Sequence, residues 1–138
     1  MRRMVIVGVA LLSLAACATL QNKNQSRDET LNGYAVALRW GGFQQAWQYV
    51  DPAVRAAHPL TPQRKALYDT VRVADYQASD PVATDENTLS QTARINLIVK
   101  TSQRVYGVVD HQTWRWDAKA KHWWLETGLP DISPGISE

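Results

Sequence analysis

Two carboxylates and a phenol are the side chains of this sequence that could transfer protons. Alternation along the strand-like run 104–116 places Asp110 and Gln112 on one face with apolar residues. Burial among apolar neighbours raises the pKa of a carboxyl group, as a general base or a proton-sharing acid requires. Asp75 shares a face with valines of another predicted strand, and Tyr34 lies on the apolar side of a predicted helix. A trio of Asp110, Asp75 and Tyr34 could therefore transfer a proton to or from a bound molecule, although buried polar groups more often have a purely structural role.

The three histidines do not predict a metal site. His58 follows a short helix, while the expected strand pairing sets His122 opposite Arg115 and His111 opposite Glu126, at separate levels of a hairpin. The sequence also contains no P-loop, dinucleotide-binding fingerprint, H-E-x-x-H or nucleophile elbow. We therefore expect no metal and no cofactor.

The first sixteen residues have the layout of an export signal. Arg2 and Arg3 precede the apolar stretch 4–16, which ends in small residues. As a helix this stretch would be roughly 20 Å long, which is shorter than the roughly 30 Å hydrocarbon core of a bilayer. A permanent transmembrane span is therefore not expected.

Cys17 is the single cysteine, and it directly follows Leu14-Ala15-Ala16. A thiolate attacks a lipid donor readily, and small neighbours give a peptidase access to the backbone. This sequence resembles the lipobox of bacterial lipoproteins, which are cleaved before a cysteine that carries acyl chains such as palmitate. The resemblance implies a signal peptide at 1–16 and a membrane anchor on Cys17. Ala18, where an aspartate would favour the inner membrane, implies the outer membrane, facing the periplasm. The alternative is an ordinary signal peptide with a cysteine near the cleavage site.

Composition predicts one ordinary globular domain without the charge of a nucleic-acid binder. The 138 residues include 15 Lys and Arg against 13 Asp and Glu, and 45% are apolar. Removing Arg2 and Arg3 with the leader leaves 13 basic against 13 acidic residues. We therefore expect no nucleic-acid partner.

The first part of the mature chain is predicted to be helical. Residues 19–27 are polar and aperiodic, so 17–27 is predicted to comprise the lipidated cysteine and a flexible tether. The capping box of Ser26 and Glu29 predicts a helix that begins near residue 27. Gly41-Gly42 is expected to end this helix. Three further helices are predicted from apolar periodicity and from N-cap residues followed by proline, over 43–50, 52–57 and 62–69.

The second part is predicted to form an antiparallel meander of four strands. The runs rich in Val, Ile, Thr, Tyr and Trp are 70–78, 89–101, 104–116 and 121–127. Tight turns at Ser102-Gln103 and Ala118-Lys119 would set Ile95 opposite Asp110 and Trp114 opposite Trp123. Both registers place the apolar side chains on the same face.

Two tryptophan-rich segments carry a second resemblance. The first runs from Trp40-Gly41-Gly42-Phe43 to Val50-Asp51-Pro52, and the second comprises Trp114-Arg115-Trp116, Trp123-Trp124-Leu125-Glu126 and Gly128-Leu129-Pro130. The chain is similar in these segments to the nuclear-transport-factor-2-like superfamily. The resemblance implies an α+β cone, in which N-terminal helices pack on a curved four-stranded antiparallel sheet. The domain would cover 28–131, with a C-terminal tail at 132–138.

In that superfamily the concave sheet face and the helices enclose a pocket. The candidate pocket residues are Tyr34, Asp75, Ile95, Asp110, Gln112 and Trp114, and Trp124 on the opposite face is a candidate interface residue. We expect a lipid-anchored binding module for an apolar small molecule or an envelope protein. The alternatives are an isomerase or hydrolase that uses Asp110, and an accessory subunit of an envelope assembly.

Overall fold

The computed structural model describes the backbone of residues 2–136 and the side chains of residues 19–136. Helices come first and strands follow. The elements are α1 (Arg2–Val36), a π-helical turn (Ala37–Gly41), α2 (Gly42–Ala46), a 3-10 turn (Trp47–Tyr49), α3 (Pro52–Ala57), α4 (Pro62–Asp69), β1 (Val71–Ala78), β2 (Val82–Asp85), β3 (Thr88–Val99), β4 (Val105–Asp117), β5 (His122–Leu125) and a second 3-10 turn (Ser133–Gly135). Over the described residues, we find no helix with the length and apolar character that crossing a bilayer needs.

The two short helices α3 and α4 begin and end where the sequence predicts. The Asp51 carboxylate accepts a hydrogen bond from the amide of Ala53 at 2.9 Å, and the Thr61 hydroxyl accepts one from the amide of Arg64 at 3.2 Å. Each cap residue is followed by a proline at the first helical position. Cap and proline together fix the helix start, because they satisfy or remove otherwise unpaired amides.

The predicted helix start near residue 27 is wrong. Ser26 and Glu29 lie inside α1, so their backbone amides are not helix-terminal and no capping box forms. The Ser26 hydroxyl instead lies 3.5 Å from the carbonyl oxygen of Lys121, and the Glu29 carboxylate accepts a hydrogen bond from Gln25 at 3.0 Å. A capping box is a local pattern, and here the preceding residues also form helix.

The segment predicted as a tether is helical, and part of it packs on the sheet. The Lys23 ammonium donates hydrogen bonds to the backbone oxygen of Glu86 and, at 3.1 Å, to the amide oxygen of Asn87. The Trp123 indole donates to the Lys23 carbonyl at 3.2 Å. These contacts join α1 to the β2–β3 turn and to β5. The side chains of 1–18, including Cys17, lie outside the described residues, so lipidation stays a prediction.

The strands form one antiparallel sheet in the order β1-β3-β4-β5, and β2 pairs with the first residues of β3. The four predicted strands are confirmed as a meander. The additional strand β2 was not predicted, because Val82–Asp85 is four residues long and exposed throughout, without alternation. The α+β architecture, with helices followed by a curved antiparallel sheet, is as predicted.

Both hairpin registers differ from the prediction by two residues. Ile95 pairs with Val108 and Ala93 with Asp110. Similarly, Trp114 pairs with Leu125 rather than with Trp123. A shift of two residues keeps every side chain on its predicted face, because the side-chain period of a strand is two.

The loop lengths explain the two shifts. Each predicted two-residue turn is a longer loop, five residues at 100–104 and four at 118–121, and each contains a residue with a positive φ: 59° at Gln103 and 52° at Lys121. The β4–β5 loop is further held by Asp117, whose carboxylate accepts hydrogen bonds from the amides of Lys119 and Ala120, each at 3.0 Å.

The core lies between the helices and the concave face of the sheet. Its fully buried large side chains include Tyr34, Leu38, Ile95, Leu97, Trp114 and Leu125. The segment predicted as a tail also contributes, because Ile132 is 1% exposed and its carbonyl accepts a hydrogen bond from the Tyr106 hydroxyl at 3.0 Å. Packed structure therefore extends past residue 131, to at least Gly135.

Candidate functional site

The concave face carries a polar network centred on the buried amide of Gln112. Its Nε2 donates to the Asp110 carboxylate at 2.8 Å and lies 3.1 Å from the Tyr76 hydroxyl. Its Oε1 accepts from the Trp114 indole at 3.2 Å. Because the amide uses both donors and its acceptor, Gln112 holds Asp110 in one orientation.

The Tyr34 hydroxyl is buried beside this network without a hydrogen-bond partner among the described residues. The ring is fixed by edge contacts with Tyr49, Tyr76 and Trp114, whose centroids lie 5.8, 6.3 and 5.3 Å away. A buried polar group without a partner costs about 1–3 kcal/mol of stability, so the Tyr34 hydroxyl is a candidate hydrogen-bonding group for a ligand.

Burial changes the acidity of these groups. It raises the pKa of Asp110, although the hydrogen bond from Gln112 and the charge of His111 lower it. Burial also raises the pKa of Tyr76 to about 12 and holds that of Tyr34 well above its ordinary value, and the nearby Asp110 charge adds to both shifts. The site therefore combines a carboxyl group that protonates more readily than usual with two phenols that stay neutral.

A cleft of about 380 Å³ opens between α1 and the concave face, next to the network. Tyr76 lines it, as do Ala78 and Gln91, which pair with residues of the concave face. The remaining lining residues are Asp28, Leu31, Asn32, Ala35, Ser79, Asp80 and Pro81. Half of the lining residues are polar, so the cleft does not match the apolar ligand expected from the sequence.

The network and the cleft meet at one level of the sheet. Asp110 is half-buried and pairs with Ala93, which pairs with Ala78 at the cleft. Two of the three side chains at this level are therefore short. Tyr76 makes the second connection, because its ring lines the cleft and its hydroxyl contacts Gln112.

The structure places most of the predicted pocket residues together but removes Asp75 from the set. The β1–β3 register is irregular between Val73 and Asp75, so Asp75 pairs with Asn96 on the outer face. There its carboxylate accepts a hydrogen bond from Gln77 at 3.0 Å. A bulge reverses the alternation of a strand, and the predicted inward position of Asp75 is therefore wrong.

The other predicted residues are packed against neighbouring side chains. Ile95 and Trp114 face the core and are 1% and 0% exposed. Trp124 is partly buried, and its ring lies 4.2 Å from that of His122. The tryptophan that is exposed is Trp40, at 79%.

The histidines stay apart, as predicted, although their partners differ. His111 pairs with Thr92, whose hydroxyl lies 3.2 Å from its Nδ1, and His122 pairs with Asp117. In the part of the chain that the structure describes, no group of three potential ligands could hold a metal ion.

Tyr76 belongs to the site, although the sequence does not predict it there. Val71, Val73 and Asp75 alternate as one strand face, which places Tyr76 on the other face unless the strand contains a bulge. No glycine or proline marks that bulge, so the sequence offered no signal for it.

Comparisons with known proteins bear on the fold. No family model matches the chain, and no curated protein matches it. Among solved structures, the chain is similar to the crystal structure of a candidate polyketide cyclase from Xanthomonas campestris pv. campestris, with 10% sequence identity and a TM-score of 0.51. The match covers 83% of this chain and 97% of that chain. Together with the helices and the curled sheet, this likeness shows the nuclear-transport-factor-2-like cone fold.

Proposed function

We propose that this protein is a lipid-anchored periplasmic domain that binds a small molecule in the cleft between α1 and the sheet. The leader and Cys17 support the anchor, and Ala18 supports the outer membrane. The observation that carries the binding role is the polar network of Asp110, Gln112 and Tyr76, which lies beside the buried Tyr34 hydroxyl and reaches the cleft through Tyr76.

The size and polarity of the cleft define the class of ligand. A volume of about 380 Å³ lies within the range of small-molecule pockets, roughly 300–1,000 Å³. Asp28 and Asp80 line the cleft, and Asp110 lies behind it, although Arg27 pairs with Asp28 at 2.8 Å. A neutral or cationic molecule with a hydrogen-bond donor for Asp110 and an acceptor for Tyr34 fits these charges. The neighbour's description as a candidate polyketide cyclase is in keeping with a small-molecule site in this fold.

Matched carboxylate substitutions test this proposal. The full chain is screened by thermal shift against amines, polyols and hydroxylated aromatic compounds, and the compounds that shift the melting temperature are titrated. Asp110→Asn should weaken binding at least tenfold, because the ligand loses its charged acceptor. Asp75→Asn removes the same charge on the outer face and should leave binding unchanged.

Two results would contradict the binding role. One is the absence of any compound that stabilises the chain, which would favour an accessory subunit of an envelope assembly. The other is an equal loss of binding in both variants, because a general charge effect would then explain it.

The raised pKa of Asp110 favours proton transfer as a second candidate function. Asp110 would accept a proton from carbon next to a carbonyl group, the Tyr34 hydroxyl would donate a hydrogen bond to the carbonyl oxygen, and the carboxyl group would return the proton. Incorporation of solvent deuterium into a panel of ketones tests this. Exchange that Asp110→Asn abolishes would support catalysis, and exchange that equals the rate without protein would exclude it for those ketones.

A further inference from the structure

A second cleft, of about 270 Å³, lies at the other end of β1 from the concave-face site. It is formed where the π-helical turn and α2 approach the first residues of β1 and the end of α4. Its lining residues are Leu38, Arg39, Trp40, Gly41, Gly42, Phe43, Tyr68, Asp69, Val71, Arg72, Val73 and Lys100. None of these residues lines the concave-face cleft.

The charge of this cleft is strongly positive. Arg39, Arg72 and Lys100 line it, against a single carboxylate, Asp69. Within the described residues, none of the three cations forms an ion pair with a carboxylate. The Lys100 amide donates to the carbonyl of Thr70 at 2.9 Å, which holds the β3–β4 loop beside the end of α4. Three cations without an ion-pair partner in the described part of the chain, against one carboxylate in the same lining, favour the binding of an anion.

An aromatic side chain stands at the edge of the same cleft. Trp40 is 79% exposed, which is unusual for so large an apolar side chain, and the guanidinium carbon of Arg39 lies 5.4 Å from its ring centroid. The indole face can stack on an apolar or aromatic group while Arg39 remains beside it.

The local backbone explains this exposure. The π-helical turn buries Ala37 and Leu38 in the core and leaves Arg39 and Trp40 outside. Such turns are rare and often occur at functional sites, because they cost helix stability and reorient side chains. The turn ends at Gly41 and is followed by Gly42, whose φ of 78° favours glycine.

We propose that this cleft binds an anionic group, a phosphate or a carboxylate, carried on an aromatic or apolar body. Arg39, Arg72 and Lys100 would hold the anion, and Trp40 would cover the body. The ligand would be either a free small molecule or the phosphate of a lipid headgroup, since both present the same chemistry.

Calorimetric titration of the full chain in non-ionic detergent tests the site with phenyl phosphate and inorganic phosphate. Phenyl phosphate should bind saturably and at least tenfold more tightly than inorganic phosphate. Arg72→Gln should lower the affinity for phenyl phosphate at least tenfold. Trp40→Ala should reduce the affinity for phenyl phosphate to that for inorganic phosphate, without affecting the latter.

Arg94→Gln is the matched control, because Arg94 is exposed and lies outside this cleft.

A vesicle experiment distinguishes the two sources of the anion: a chain carrying Cys17→Ala is sedimented with phosphatidylglycerol vesicles, with and without Arg72→Gln. Sedimentation that depends on Arg72, without binding of phenyl phosphate, would identify a lipid headgroup as the ligand. Binding of phenyl phosphate, without sedimentation that depends on Arg72, would identify a free small molecule. The proposal is overturned if neither probe binds, or if Arg94→Gln and Arg72→Gln have equal effects.

Discussion

At the residue scale, the Tyr34 hydroxyl gives the most direct test of the concave-face site. Tyr34→Phe keeps the ring contacts and removes a polar atom that has no partner among the described residues. We expect the free energy of unfolding of the unliganded chain to rise by about 1–3 kcal/mol, because the substitution removes an unpaired buried hydroxyl and no hydrogen bond is lost. Urea denaturation measures it, and a loss of about 2 kcal/mol or more would show that the fold itself uses this hydroxyl.

Asp51 is the residue whose charge connects the helices to the sheet. It is 5% exposed, its Oδ1 caps α3, and its Oδ2 accepts hydrogen bonds from Arg115 at 2.7 and 3.1 Å. Burial alone would raise the pKa of this carboxyl group, but the hydrogen bonds from Arg115 and Ala53 outweigh burial and lower it.

Two substitutions of Asp51 separate its cap from its charge. Asp51→Asn keeps a good cap and should cost only about 1 kcal/mol near neutral pH, because Arg115 is 37% exposed and water screens the pair. Asp51→Ala should cost about 1 kcal/mol more. A lowered folded-state pKa stabilises the fold above the ordinary Asp value of about 3.9, and this contribution is lost as the pH falls through the folded-state pKa. The difference between wild type and Asp51→Asn should therefore shrink in acid, and a difference independent of pH would contradict the ion pair.

At the element scale, the C-terminal segment closes the sheet. Ile132 is 1% exposed, and Tyr68 and Tyr106 donate hydrogen bonds to the carbonyls of Pro130 and Ile132 at 2.9 and 3.0 Å. β5 pairs with β4 only from Trp114 to Asp117. The C-terminal segment covers an earlier part of β4, at Tyr106, with which β5 does not pair.

Truncation of Ile132 tests that role. Ile132→Ala should lower the free energy of unfolding by about 2–4 kcal/mol, whereas Ile132→Val should lower it by about 0.5–1.5 kcal/mol. Chemical denaturation monitored by tryptophan fluorescence measures both variants. Equal and negligible effects would mean that the segment is a tail, as the sequence predicts.

At the scale of the whole molecule, the proposed anchor and the domain share one helix. α1 runs without a break from Arg2 to Val36, and Lys23 joins it to the β2–β3 turn. If Cys17 carries the lipid, the domain would be attached through a helix, and its orientation to the bilayer would be restricted.

Substitutions at Cys17 and Ala18 test the anchor. Cys17→Ala should move the protein from the membrane to the soluble fraction, because dual or triple acylation is what makes such binding stable. Ala18→Asp should keep the protein on membranes and move it from the outer to the inner membrane. Fractionation of cells and mass spectrometry of the N-terminus measure these outcomes, and a Cys17→Ala variant that still sediments with membranes would contradict lipidation.

The elements followed from the sequence where their signals are local. Asp51-Pro52 and Thr61-Pro62 defined two helices, and alternation in 89–101 and 104–116 assigned the concave face correctly. Alternation has a period of two, so it predicts the face of a side chain even where the loop length, and therefore the partner, is wrong. The placement of Asp110 with Gln112 and Trp114 was therefore predictable.

Other features of the site and the fold depend on contacts between residues that are distant in sequence, so only the tertiary structure decided them. The bulge that turns Asp75 outward and Tyr76 inward exists because β1 must pair with β3, and the helical form of 17–27 accompanies contacts with Asn87 and Trp123. The cationic cleft combines residues from the π-helical turn, β1 and the β3–β4 loop. The sequence by itself determined the elements and their faces, because both arise from neighbouring residues. Folding decided which faces meet, because that choice depends on packing over the whole chain.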